Sequence, residues 1–187
     1  MNMLSDRFNS LRITVEALAG SPAVVVVGGG RERDGADIVA RGLARAFAET
    51  GASVGLVASD AARDSDGAGV SVVPLTSIHA LGGARLTERF ATLRNEFDVV
   101  LVEIPTLFER SMDAELARCS DGVVLAIELG RRATARDNEI AATLERLSVR
   151  RLGVVMTKPE LRRQAATVTT GSAGRSTLVR KPSAQRT

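Results

Sequence analysis

Ala23-Val24-Val25-Val26-Val27 runs without interruption into Gly28-Gly29-Gly30, and this junction constrains the chain more than any other stretch. A β-branched run with no polar alternation is the pattern of a strand buried on both faces, so the sheet it belongs to must be covered on either side. The three glycines end the strand. Before it, Phe8, Leu11, Val15 and Leu18 recur at helical spacing from about Ser5 to Leu18, while Asp6, Arg7, Asn9 and Arg12 occupy other faces. This reads as an amphipathic leading helix, broken by Gly20-Ser21-Pro22. After the glycines a second helix is expected near Asp34, which can cap it with Asp37 three residues on, and Ile38, Leu43, Ala46 and Phe47 form its stripe as far as Gly51.

The alternation continues, with strands expected near Ser53 to Val57, Val70 to Val73, Val99 to Val102, Val123 to Ile127 and Leu152 to Met156. Helices are expected near Leu86 to Asn95, Asp113 to Ala117 and Ala133 to Leu147. Apolar strands separated by amphipathic helices need crossover connections, which predict an α/β fold: a doubly wound, mostly parallel sheet with helices on both faces. The expected organisation is a leading helix in residues 1–20, one α/β domain in 21–160 and a basic disordered tail in 161–187. Ligands of such sheets bind at the carboxyl ends of the strands, which directs attention to the loops after Val27, Val57, Val102 and Met156.

Composition narrows the field. No uninterrupted apolar run exceeds the five residues of Ala23 to Val27, against the roughly 20 a spanning helix needs, and no signal-peptide pattern opens the chain, so a cytoplasmic protein is expected. The single cysteine, Cys119, and the single histidine, His79, make no credible metal site and are expected to be a small buried thiol and a loop imidazole. Six basic and no acidic residues occur from Leu161 onward, so with a whole-chain charge of +3 the body before it carries −3. That tail has low charge density and no aromatics to stack on bases, which argues against nucleic acid as the partner.

A strand, a glycine-rich loop and a helix N-terminus in that order is the setting of a phosphate-binding loop, in which backbone N–H groups and the helix dipole hold the anion. A working loop of this kind also needs a lysine for the outer phosphates and a Ser or Thr for magnesium. Here the stretch is Gly28-Gly29-Gly30-Arg31-Glu32-Arg33-Asp34-Gly35-Ala36-Asp37-Ile38, which puts Ala36 at the lysine position and Asp37 and Ile38 at the hydroxyl positions. The only lysines are Lys158 and Lys181. A carboxylate from Asp37 at the helix N-terminus competes for the same N–H groups and repels phosphate, so a self-capped loop is expected. Against this, Arg31 or Arg33 could supply the missing charge, although a planar guanidinium does not replace a compact ammonium.

These features resemble the bacterial tyrosine kinases and partner ATPases of capsule and exopolysaccharide synthesis, themselves akin to partitioning and septum-placing P-loop ATPases, over residues 5 to 158. Asp6-Arg7-Phe8-Asn9-Ser10-Leu11-Arg12 is similar to the family's leading Glu-x-x-Arg-x-x-Arg helix, which serves ring assembly, with Asp6, Asn9 and Arg12 in the three places. Gly55 to Asp60 resembles the strand ending in Asp-x-Asp, of which Asp60 remains. Phe97 to Pro105 resembles the strand ending in Asp-Thr-Pro-Pro, with Glu103 at the magnesium-linked acid and Ile104 at the threonine. Asp121 to Leu125 and Leu152 to Lys158 fit the next two strands. The sequence departs from the family in lacking the loop lysine, in both altered acidic motifs, in a short stretch between Asp60 and Phe97, and in having no tyrosine, which rules out tyrosine autophosphorylation.

The resemblance therefore implies a non-catalytic, pseudo-ATPase member acting as a scaffold or regulatory partner, bound to itself, to an active paralogue or to a membrane polysaccharide co-polymerase. It would lie in the cytoplasm or at the inner face of the membrane and need no cofactor. Its interaction residues would be Asp6, Asn9 and Arg12, although a helix that merely packs on the core would carry the same stripe. The alternative is a divergent ATPase binding ATP through Gly28, Gly29, Gly30, Arg31, Arg33 and Gly35, with magnesium at Asp60 or Glu103. A positioning protein using its basic tail is a third reading. Arg131, Arg132 and Arg136 read as a solvated face with no role.

Overall fold

In the computed structural model, residues 3–59 and 69–158 are described. α1 (Met3–Ala19) leads into β1 (Ala23–Gly29), and a short 3-10 turn (Glu32–Asp34) precedes α2 (Ala36–Ala48) and β2 (Val54–Ala58). Then follow β3 (Val70–Pro74), α3 (Thr76–His79), α4 (Ala84–Glu96), β4 (Val99–Ile104), α5 (Ser111–Cys119), β5 (Gly122–Glu128), α6 (Ala135–Arg146) and β6 (Arg151–Thr157). The six strands form one sheet in the order β3-β2-β4-β1-β5-β6, and every neighbouring pair is parallel. The doubly wound α/β architecture expected from the alternation is present, fully parallel where a mostly parallel sheet was expected.

Alternate residues of the strands feed opposite cores. Val25, Val27, Leu56, Leu101 and Val124 pack with Val15 of α1 and with Val39, Leu43 and Phe47 of α2. Val24, Val26, Val57, Val100 and Val102 pack with Leu86 and Phe90 of α4, Leu116 of α5 and Leu144 of α6. Both faces of the central strands are thus dry, which is why their sequences show no polar alternation. Burial of a ring such as Phe90, fully enclosed, stabilises the fold by an amount whose loss on truncation to Ala is about 3–5 kcal/mol.

α1 lies against α2 and the edge strand β6. The ring of Phe8 rests directly on Gly42, leaving no room for a Cβ there. Of its expected stripe Val15 is buried, but Leu18 is 42% exposed, because α1 ends beside the sheet edge rather than over its centre. The second helix begins at Ala36, two residues later than the Asp34 start expected from capping, and the reason is the site itself. Among the described residues no helix is long and apolar enough to cross a membrane.

Connections from the adjacent strands β1 and β4 leave in opposite directions, towards β2 and towards β5, over opposite faces of the sheet. This switch point opens a crevice at their carboxyl ends, the general ligand position of such sheets.

Candidate functional site: a loop closed by its own carboxylate

β1 and β4 run in register at Val27 with Glu103 and at Gly28 with Ile104, so the glycine loop and the loop after β4 emerge side by side. The second folds onto the first: the Leu107 N–H donates to the Gly29 carbonyl at 2.9 Å. Leu107 is itself fully buried, and its carbonyl accepts from Arg136 at 2.7 Å.

Asp34 governs the loop. The Asp34 N–H donates to the Arg31 carbonyl at 3.0 Å, closing the 3-10 turn, and Gly35 follows with φ +78°, a left-handed conformation that suits glycine. The turn aims the Asp34 side chain backwards into the loop instead of forwards to cap α2. One carboxylate oxygen accepts the N–H groups of Gly30 at 2.9 Å and Arg31 at 3.0 Å; the other accepts the N–H of Glu128, at the end of β5, at 3.1 Å. A side chain at 29 would collide with the Asp34 Cβ at 2.7 Å, and one at 30 with an Asp137 oxygen at 2.8 Å, so the loop can close only where these residues are glycine.

Arg131 completes the enclosure from the segment between β5 and α6. Its Nε donates to Asp34 at 2.8 Å and its Nη2 at 3.1 Å, a forked pair with Asp34 at 0% and the Arg131 side chain at 8% exposure. From the other side Arg131 donates to both oxygens of Asp137, at 2.7 and 2.6 Å. Asp137 also accepts the backbone N–H of Thr134 at 2.7 Å and its hydroxyl at 2.8 Å, which anchors the first turn of α6. The Arg131 hydrogen bonds hold the Asp137 carboxyl well below the usual carboxylate range, with the Thr134 bonds adding to the effect against partial burial. The same bonds raise Arg131 above its ordinary value. Thr157 of β6 closes the far side, its hydroxyl donating to the Asp34 carbonyl at 2.9 Å.

On the other flank, towards β2 and β4, lies an open cleft of about 440 Å³ lined by Arg31, Glu32, Ser59, His79, Thr106 and Arg110, among others. His79 sits at the end of α3 rather than in a loop, half-buried, with Nδ1 3.1 Å from Nη1 of Arg110. A guanidinium only donates, so Nδ1 accepts and the neutral ring carries its proton on Nε2. Burial, then the Arg110 charge, pushes this imidazole down against a smaller opposing pull from Asp113.

The structure divides the expected site residues. Gly28 and Gly29 end β1, and Gly30, Arg31 and Gly35 lie in the loop that follows; Arg33 is exposed on its outer side and does not line the cleft. Glu103 is buried beneath, at the end of β4 beside Val27. Asp60 lies outside the described residues, as does the basic tail. On α1, Asp6 is exposed, Asn9 half-buried, and Arg12 pairs with Glu16 at 2.6 Å. Two expectations are corrected. The carboxylate that fills the loop is Asp34, not Asp37, which lies in the first turn of α2, because the 3-10 turn brings residue 34 inward. Arg131 and Arg136 are not a solvated face but hold this loop and the loop after β4, while Arg132 is exposed. Among the described residues, no cluster of three or more His, Cys, Asp or Glu side chains is placed to hold a metal ion.

No protein-family model matches the chain, and no curated protein sequence matches it. Solved structures share its fold. The kinase domain of the Escherichia coli tyrosine kinase ETK superposes with a TM-score of 0.67 at 15% identity, covering 82% of this chain and 75% of that one. The chimerical protein CapA2B2 gives 0.69 at 14% identity, over 84% and 85% of the two chains. The BceF tyrosine kinase domain gives 0.65 at 18% identity, over 83% and 76%. At these identities the likeness is one of fold, and it places the chain among P-loop NTPase-like α/β structures similar to bacterial tyrosine kinase domains.

Proposed function

We propose that this chain is a non-catalytic relative of the bacterial tyrosine kinase fold that acts as a scaffold or regulatory partner in polysaccharide synthesis or export. The observation that carries this reading is the Asp34 carboxylate, which takes N–H groups of the glycine loop and is fixed there by Arg131. Phosphoryl transfer is positioning plus charge stabilisation, supplied by a loop lysine, a hydroxyl and magnesium. Here the loop presents a buried negative charge, with Ala36 and Asp37 in the lysine and hydroxyl places. A nucleotide phosphate does not fit beside that charge, and no catalytic step is assigned to it.

The surviving function is then binding. The partner is a second copy, an active paralogue or a membrane co-polymerase, the last placing the protein at the inner face of the membrane; Asp6, Asn9 and Arg12 are the candidate contacts on α1. The rival reading, a divergent ATPase using Arg31, Asp60 and Glu103 with ATP and magnesium, is favoured by one observation: Arg31 faces an open cleft at the strand ends. Calorimetry with ATP and ADP, with and without magnesium, separates the two. No saturable heat at millimolar nucleotide is expected. Magnesium-dependent binding that disappears in Glu103→Ala would instead establish the ATPase reading.

A further inference from the structure

Asp34 receives more donors than a turn or a cap needs. A capping carboxylate ordinarily satisfies one or two orphan N–H groups. Asp34 accepts five hydrogen bonds: from the N–H groups of Gly30, Arg31 and Glu128, and from Nε and Nη2 of Arg131, all between 2.8 and 3.1 Å. These donors come from two segments nearly a hundred residues apart, and they converge on the two oxygens of one buried anion. Backbone N–H groups plus a forked guanidinium are the donor set that proteins use for phosphates and carboxylates.

Three of the five donors, the two Arg131 groups and the Glu128 N–H, are held independently of the Asp34 side chain. Arg131 is fixed by two hydrogen bonds to Asp137, which is in turn fixed by Thr134. Glu128 ends a strand paired on both sides, with β1 and with β6. Removing the Asp34 side chain would therefore leave donors still pointing at a small polar vacancy.

We propose that these groups form an oxyanion cage of which Asp34 is the built-in occupant, so that the unaltered chain excludes external phosphate while a chain without that carboxylate takes up a small oxyanion in its place. The proposal rests on the reading of the loop as self-filled and adds what fills it, what holds it, and what could replace it. In this protein the carboxylate then performs the structural task of a bound anion, tying the loop after β1 to the end of β5 and the start of α6, and the fold needs no ligand to be complete.

The test is rescue of Asp34→Gly. Thermal unfolding of the unaltered chain and of the variant is followed in sodium formate, in inorganic phosphate and in sodium chloride at matched ionic strength. The unaltered chain is expected to respond to formate and phosphate no more than to chloride. The variant is expected to melt lower and to recover saturably in formate or phosphate, by roughly 3–6 °C at ten times the dissociation constant. That recovery is expected to vanish in the double variant Asp34→Gly/Arg131→Met. Should Asp34→Gly not fold in chloride, refolding yield becomes the readout: folded protein only when formate or phosphate is present supports the cage. Equal behaviour in all three salts, in melting or in refolding, overturns it, as does rescue that persists without Arg131. Saturable stabilisation of the unaltered chain by phosphate would overturn the self-filled loop itself, a different failure from absent rescue in the variant.

Discussion

The two flanks of the crevice at the end of β1 are built from similar residues and behave oppositely. Towards β5, Asp34 and Asp137 both pair with Arg131, largely shielded from water; towards β2 and β4, Arg31, Glu32, Glu109 and Arg110 border an open cleft. The same kinds of charge are shut away from water in one place and face it in the other. Charge type does not decide the outcome; burial does, because a desolvated ion stripped of its partner has nothing to replace it, whereas an exposed one turns to water.

The largest expected effect breaks the sealed flank. Arg131→Met leaves Asp34 buried without its cation and should lower unfolding free energy by about 3–5 kcal/mol in denaturant titration. Arg110→Met, on the open flank, should cost no more than about 1 kcal/mol. Similar losses for both would show that the sealed and open flanks do not differ as described.

Gly30→Ala tests closure by shape rather than charge. Its Cβ would lie 2.8 Å from an Asp137 oxygen, so either the loop or the anchor of α6 must move, at about 1–3 kcal/mol. Gly51→Ala, with open space around it but a φ of +88°, is the contrasting case: any loss there comes from backbone strain alone.

How much of this was legible in the sequence follows from the range over which each feature acts. The strands announce themselves because burial on both faces removes polar alternation from Val24 to Val27 and from Val99 to Val102, a local signature. The glycine loop between strand and helix is equally local. The sealing of that loop is not. Asp34 meets Arg131 across 97 positions of sequence, and neither neighbourhood hints at the other. An acid before a helical stripe reads as a forward helix cap, but the left-handed Gly35 turns the backbone so that the Asp34 side chain points the opposite way. Arg131 reads as one of several solvated arginines because its partner Asp34 is remote in sequence. Thr134 and Asp137, three apart at a helix start, did carry a recognisable capping pattern and could have marked the segment as anchored.

Acid should act on the two flanks in separate ranges. His79, on the open side, resists protonation in the folded chain because of its burial and Arg110, so its contribution is complete above the ordinary histidine value of about 6.5 and is lost as pH falls below it. Asp137, on the sealed side, is held ionised by Arg131; its contribution is complete above about pH 4 and fades only as pH falls further. Stability measured from pH 8 to pH 3 should therefore decline in two stages. His79→Gln should flatten the first and leave the second, and loss of both stages together would mean that the flanks unfold as one electrostatic unit.

The smallest expected effect lies away from the crevice, on α1, where Arg12 and Glu16 form a surface pair one helical turn apart. Glu16→Gln removes the attraction without shortening the side chain and should change stability by only about 0.3–0.5 kcal/mol. That smallness makes the variant useful. If Arg12 serves assembly, freeing it from Glu16 should shift the molar mass distribution seen by light scattering while the unfolding transition barely moves. An unchanged distribution at high protein concentration would leave α1 with the packing role it displays, against α2 through Phe8 and over the sheet edge through Leu11 and Val15.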